Sequence, residues 1–533
     1  MNRKKQDKRK LKVLLVTPEI TYVPAGMGDI AHKLSAKAGG MADVSASLVA
    51  ALFQRGVDVH VALPHYRRLF HVEVADLLDA KLEKYQQSLH AENDGQTRVH
   101  LAEDRTFYYR NQVYPSYAAE SLNMSLVFQR EVINNIIPQV NPDLVHCNDW
   151  MTGLIPGYAR RLNIPTLLTV HNIHTQDTTL ATIEDHGIDT ALFWQDLYFK
   201  RQPINYEESR ENNLIDLLTS GIFGAHFINT VSPTFLHEIV DGRHPFIAPQ
   251  IQREIANKYH AGCAKGILNA PDPDYMPETD QALAANYGPS DQAEKKRANK
   301  VEFQRRTGLI VNPEAPLFFW PSRLDPIQKG PQLLAQIMYS IIHDYWPRML
   351  QIGIVGNGPY FQIFKDIVAM HGFQDRICVM PFQEDLSRLG YAGSDFILMP
   401  SSFEPCGLPQ MIGPLYGSLP IVFNTGGLHD TVQHLDISKN SGNGFVFDYH
   451  DAQGLRWAID QAMLFNSLIA PVRNTQIERI MRHARETFNN DRTADEYVKI
   501  YQQMLQRPLL QYMHKEEPKA SHHSGSSSAS SHS

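Results

Sequence analysis

Residues 396–432, FILMPSSFEPCGLPQMIGPLYGSLPIVFNTGGLHDTV, decide the fold. The apolar run Phe396–Met399 reads as a short buried strand stopped by Pro400 and two serines, and Gly407, Leu408 and Pro409 open a helix after it. A second apolar strand, 420–423, runs into Asn424, Thr425, Gly426 and Gly427, with another helix starting near Leu428. Two strand-to-helix junctions this close together predict a parallel α/β sheet. In such a sheet, free amides and positive helix ends gather at the carboxyl edge, where anions and ligands bind. Glu404 stands at the mouth of the first junction. A glycine pair is also ordinary turn chemistry, so spacing alone leaves Gly426 and Gly427 open to both readings.

Working outward, the chain has 533 residues, 43% of them hydrophobic and 20% charged, enough to bury two cores and too long for one ordinary domain. A net charge of −7 argues against a general nucleic-acid binder. Four scattered cysteines, Cys147, Cys263, Cys378 and Cys406, lack metal-ligand spacing and fit a reducing cytoplasm. No run approaches the ~20 apolar residues that span a bilayer, and the basic start is not followed by a signal-like apolar segment. The start reads as a solvated terminus, and the tail SHHSGSSSASSHS as a low-complexity, disordered end.

Near the start, KVLLVTPE is a buried strand. A polar connection from Thr21 to Met41, a helical pattern over Ser45–Phe53 and a strand over Asp58–Leu63 complete a βαβ unit. The connection carries Lys37, Gly39 and Gly40. A glycine turn before a helix can bring amides against a phosphate with a lysine beside it, although the spacing is loose. Segments 98–102 and 105–110 alternate as strands, and 124–137 has helical spacing. The rings of Phe107, Tyr108, Tyr109, Tyr114 and Tyr117 are assigned to core and hairpin packing. PDLVHCNDW and LLTVHNIH read as strands ending at His146 and His171, so Asp149 and His171 are expected to converge on one cleft. The strand His226–Pro233 ends the first sheet's pattern, and 281–312 leads across the domain junction. PLFFWPS then opens a second sheet, followed by Arg323 and Lys329 on one strand-to-helix loop and a glycine turn, Gly356–Gly358. A guanidinium and an ammonium there can neutralise different oxygens of a diphosphate. As a loop residue at the sheet edge, Lys329 is expected to add nothing to the core. Helices over Ala452–Phe465 and Asn474–Leu505 cover the sheet and return to the first domain.

The opening stretch closely resembles the donor segment of retaining nucleotide-sugar glycosyltransferases of the two-domain GT-B type, and its EPCGL tract most resembles bacterial glycogen synthases and plant starch synthases. The Lys37 to Gly40 segment, Asp149–Trp150, Val170–Asn172, TVSP, GILN with Pro277 and Asp280, and SRL…QKG match further family motifs, in family order, over roughly residues 11–505. The chain departs from the family at Ala38, Met41, Met151, Ala270, Met276, Ser402, Pro409 and Ile412. The resemblance implies an α/β GT-B fold, two Rossmann-like doubly wound domains facing a central cleft. The expected divisions are a basic N-terminus 1–10, an acceptor-side domain 11–310, a nucleotide-sugar-binding domain 311–485, a C-terminal helix 486–513 and a Ser/His-rich tail 514–533.

It also implies retaining transfer of glucose from ADP-glucose to the non-reducing end of an α-1,4-glucan, the ADP-glucose donor being taken from the family likeness. Glu404, Arg323, Lys329, His171 and Asp149 would be catalytic. Lys37, Gly39, Gly40, Gly407, Leu408, Thr425, Gly426 and Gly427 would bind the nucleotide sugar. The amides of Gly426 and Gly427 would join Arg323 and Lys329 on the diphosphate. No metal or cofactor is expected, and the partners are a nucleotide sugar and an α-glucan acceptor, with no nucleic acid and no membrane. The alternatives are a glucan-binding or regulatory homologue with weak catalysis, or a transferase using another nucleotide sugar or a small acceptor.

Overall fold

Strands without a polar face build both halves of the molecule. In β1 (Lys12–Val16) the residues Val13, Leu14, Leu15 and Val16 are all buried, as are all seven residues of β2 (Asp58–Pro64). Continuous apolar runs of this kind belong to parallel strands covered by helices on both faces. The computed structural model describes residues 11–24, 26–27, 35–37, 39–70, 97–115 and 117–506. The expected basic N-terminus 1–10, the tail 514–533 and the departure at Ala38 lie outside the described residues.

The first sheet adds β3 (Val99–Ala102), β4 (Leu144–Asn148), β5 (Thr166–Val170), β8 (Phe227–Thr230) and β9 (Ala264–Gly266), in the order β3-β2-β1-β4-β5-β8-β9. A short antiparallel pair, β6 (Asp177–Thr178) with β7 (Ile215–Asp216), stands apart. The second sheet runs β12 (Ile377–Met380), β11 (Gln351–Val355), β10 (Leu317–Trp320), β13 (Phe396–Met399), β14 (Leu419–Phe423) and β15 (Phe445–Phe447). Every pairing in both sheets is parallel. Each strand order reverses once, beside β1 in the first sheet and beside β10 in the second, which is the doubly wound pattern whose switch point opens a crevice at the carboxyl edge.

Each sheet has its own core. Helix Gln292–Thr307 sits with the second, through Phe303. The C-terminal stretch read as one helix is two. Ala470–Thr487 buries Ile477, Ile480 and Met481 against the second core, the chain breaks at Phe488 and Asn489, and Asn490–Leu505 returns Tyr497 and Tyr501 to the first. There Tyr501 Oη meets His146 Nδ1 at 2.8 Å, and Asn229 Nδ2 donates to Tyr497 Oη at 3.0 Å.

Two further expectations are corrected. Residues 105–110 are not a strand, because Asp104 accepts the Thr106 amide at 2.8 Å and caps a helical turn, Arg105–Tyr108. The first sheet does not end at β8, since β9 pairs on its outer edge.

Candidate active site

The second domain supplies a buried ion pair. Gly330 adopts φ +69°, and a Cβ there would lie 2.2 Å from the Pro400 carbonyl oxygen, so the loop after β10 packs directly on the loop after β13. Ser402 stitches the two together, its amide donating to Gln328 O and its hydroxyl to Ile327 O, each at 2.8 Å. The stitched loops place Lys329 Nζ 2.5 Å from Glu404 Oε2, and Ser401 Oγ donates to the same oxygen at 3.1 Å. The two charged side chains are only 12% and 6% exposed. Arg323 is exposed on the lip, with Nη2 3.5 Å from Gln328 Oε1. At the same sheet edge the ring of Phe382 is exposed, and its amide donates to Asn357 of the glycine turn at 3.2 Å.

Gly407 (φ +75°) and Leu408 precede helix Pro409–Leu415. Pro409 occupies the first helical position, where the missing N–H breaks no helical bond but removes one donor from the cleft. Ile412 is buried in the second core.

In the first domain, polar residues past the strand ends are tied to one another. Asp149 has φ +54°, and its Oδ1 accepts the amides of His171 at 2.7 Å and Asn172 at 3.3 Å, joining the ends of β4 and β5. Burial pushes its carboxyl up to about 7, against the pull of those two amides. Asn148 donates through Nδ2 to Val16 O at 3.0 Å, which leaves its Oδ1 as the acceptor facing His171 Nε2 at 2.9 Å. His171 therefore carries its proton on Nε2 and has Nδ1 as a free acceptor. Burial lowers its pKa to about 4, so the ring is neutral near pH 7.

Glu19, just past β1, accepts the Gly39 amide at 3.0 Å through Oε2 and is hydrogen-bonded to Tyr114, whose hydroxyl burial raises well above its ordinary pKa. Lys37 Nζ lies 3.1 Å from Asp43 Oδ2. Burial works against this ammonium, but Asp43 outweighs it and the pKa is raised.

The two halves meet. A Cβ on Gly40 would lie 3.5 Å from Leu408 Cδ1, so Lys37, Gly39 and Gly40 of one domain abut Gly407 and Leu408 of the other. Asn269, in the segment joining the domains, has a buried Oδ1 with no hydrogen-bond partner among the described residues. The structure corrects one expectation. The amides of Gly426 and Gly427 are not directed at a ligand, because Gly426 N donates to Glu238 Oε1 at 3.0 Å and Gly427 N to Glu404 O at 2.9 Å.

Glu19, Asn148, Glu238 and Ser401 were not singled out from sequence. Glu19 and Asn148 carry the same signal as Asp149, a polar residue at the carboxyl end of a buried strand. Glu238 sits inside a helix and carries no local signal at all.

With this geometry in view, the chain matches two family models, the starch synthase catalytic domain over residues 12–246 and the glycosyl transferases group 1 over 305–478. It is 34% identical over 491 residues to a glycogen synthase of Exiguobacterium sibiricum, an alignment covering 87% of this chain and 95% of that one. It is 30% identical over 501 residues to a glycogen synthase of Bacillus subtilis, covering 88% and 95%. Among solved structures it is similar to the catalytic domain of starch synthase IV from Arabidopsis thaliana bound to ADP and acarbose. That match has a TM-score of 0.73 at 24% identity and covers 94% of this chain and 100% of that one, a likeness of fold.

Proposed function

The chain belongs to the bacterial glycogen synthase and plant starch synthase family, and on that premise we propose how its residues carry out retaining transfer of glucose from ADP-glucose to the non-reducing end of an α-1,4-glucan. The donor's identity follows from family membership. The anomeric C–O bond to the diphosphate breaks, a C–O bond to the acceptor's 4-hydroxyl forms on the same face, and the acceptor's proton leaves with the departing phosphate oxygen. The main demand is stabilising negative charge as it develops on the leaving group.

Lys329 meets that demand. Held 2.5 Å from Glu404, its ammonium keeps further N–H donors for phosphate oxygens, and Arg323 offers a planar fork at the lip. Glu404 orients the sugar hydroxyls and faces the developing positive charge at the anomeric carbon. His171, neutral and accepting through Nδ1, and Asp149, which fixes the His171 amide, position the glucose from the first domain. Lys37, Gly39 and Gly40 close over the donor against Gly407 and Leu408. The ring of Phe382 offers a stacking face for the base.

The single observation that carries this reading is the Lys329–Glu404 pair buried at the carboxyl edge of the second sheet. The test is purified protein with radiolabelled ADP-glucose or UDP-glucose, with and without glycogen primer. Label is expected in polymer from ADP-glucose only when primer is present. Binding of primer with no transfer from either donor would overturn the assignment.

A further inference from the structure

The two domains exchange helix caps. Helix Pro233–Val240 packs on the first core and helix Gly426–Thr431 on the second. Asp430 of the second domain accepts the Thr234 amide at 2.9 Å and the Thr234 hydroxyl at 2.6 Å, at the N-terminal turn of the first-domain helix. In return, Glu238 of the first domain accepts the Gly426 amide at 3.0 Å and the Thr425 hydroxyl at 3.2 Å, at the N-terminal turn of the second-domain helix. Both carboxylates face positive helix ends, the favourable arrangement. Glu238 is 5% exposed, and its other oxygen is 2.9 Å from His244 Nε2.

The exchange reaches the reaction centre. Gly426 has φ +44°, and a Cβ on it would stand 2.1 Å from the Glu404 carbonyl oxygen, so this turn admits only glycine. The next amide, Gly427 N, donates to that same carbonyl at 2.9 Å. One continuous path runs from the Glu238 carboxylate through the Gly426–Gly427 turn to the backbone of Glu404. The ends of this path are in different domains, and it is complete only when the domains are apposed as they are here.

We propose that Glu238 is a positioning residue, which couples apposition of the two domains to the placement of Glu404 by fixing the Gly426–Gly427 turn from across the cleft. It touches neither substrate nor the reacting atoms. Its work is done by reach, because the Gly426 N–H needs an oxygen at that point, and the carboxylate charge is secondary. The inference rests on the proposed role of Glu404.

Two substitutions separate reach from charge. Glu238→Gln keeps an oxygen acceptor at the same length and loses the charge, whereas Glu238→Asp keeps the charge and draws it back by one methylene. With ADP-glucose and a malto-oligosaccharide acceptor, Glu238→Gln is expected to hold kcat within about threefold of wild type. Glu238→Asp is expected to lower kcat by about tenfold or more, with the donor KM changed much less. Hydrogen exchange at Gly426 and Gly427 is expected to quicken in Glu238→Asp alone, while the amides of β14 keep their protection and report an intact fold.

The reverse pattern, a poor Gln variant and a normal Asp variant, would overturn the proposal. So would a normal kcat in both, or a loss of kcat in the Asp variant with unchanged exchange at the two glycines. If wild-type protein transferred no sugar from any nucleotide donor, the functional reading would fail instead, and the exchange measurement would still judge the contact.

Discussion

Gly39–Gly40 and Gly426–Gly427 look alike in sequence, since each is a glycine pair opening a helix after a buried strand, and each was expected to cradle a phosphate. In the folded chain each pair gives an amide to one of the protein's own carboxylates at 3.0 Å, Gly39 to Glu19 and Gly426 to Glu238. They differ in where that carboxylate comes from. Glu19 belongs to the same domain and locks its loop locally, whereas Glu238 comes from the opposite domain and locks the domains to each other. A glycine pair at a helix start therefore marks a place that wants an anion, and an internal residue can already be that anion. Charge neutralisation of a diphosphate then falls on side chains, namely Lys329, Arg323 and Lys37.

The sharpest test of that division is Lys329→Ala. Removing the ammonium is expected to lower kcat by roughly 10²-fold, about 2.7 kcal/mol of transition-state stabilisation. Stability is also expected to fall. Sequence placed Lys329 on a loop with nothing to add to the core, but the structure buries it against a Glu404 that is 6% exposed. Breaking such a pair leaves an uncompensated buried carboxylate, a loss of roughly 3–5 kcal/mol. Urea unfolding of the variant measures it, and wild-type stability together with wild-type kcat would return the charge work to the glycine amides.

The first-domain pair is probed next through Glu19→Ala. It strips the Gly39 amide and the Tyr114 hydroxyl of their acceptor, an expected loss of about 1–3 kcal/mol. Because Lys37 and Gly40 ride on this loop, the donor KM is expected to rise roughly tenfold, equivalent to about 1.4 kcal/mol, with kcat less affected. An effect on kcat larger than that of Glu238→Asp would erase the contrast between the local and the interdomain lock.

A subtler expectation concerns pH. Asp149 has a folded pKa of about 7 against an ordinary 3.8. As pH rises between those values, the unfolded chain releases the proton and the folded chain retains it, so stability is withdrawn across that window. The upper bound is about 4 kcal/mol. Asparagine does not titrate, so Asp149→Asn is expected to gain on wild type from pH 4 to 7 and to keep a constant advantage above. His171 and His146, held down to about 4 and about 3, act in the opposite sense, losing stability as pH falls below the ordinary 6.5. They are common to both proteins and cancel in the difference. A difference in urea midpoint that does not change with pH would mean that Asp149 titrates normally.

Much of this was legible before folding. Buried strands announce themselves as apolar runs, and residues just past them, Asp149, His171, Arg323 and Lys329, fall where a parallel sheet must present them. Glu19 obeys the same rule and was passed over because it ends a strand in which attention went to the glycines downstream. Segment 105–110 misled because alternation in a short aromatic run cannot compete with an Asp cap. Glu238 and the Ser402 stitch were out of reach for a deeper reason, since their partners lie 188 and 74 residues away and depend on how separate elements dock.

The smallest expected effect is the one that most directly checks what remains once both glycine pairs are taken. If Lys329 and Arg323 neutralise the diphosphate, no divalent ion has to do so, and transfer from ADP-glucose is expected to survive EDTA with kcat within about twofold. The result has to be read alongside Lys329→Ala. Cationic side chains acting alone predict a variant that Mg²⁺ does not rescue, because an ion has no carboxylate of its own to sit on once Glu404 is left facing the cleft with Ser401. Loss of wild-type activity on chelation, with recovery in Mg²⁺ or Mn²⁺, would show that the charge on the leaving group is shared with an ion. The comparison of the two glycine pairs would stand, but the side chains would no longer be sufficient for what the amides have given up.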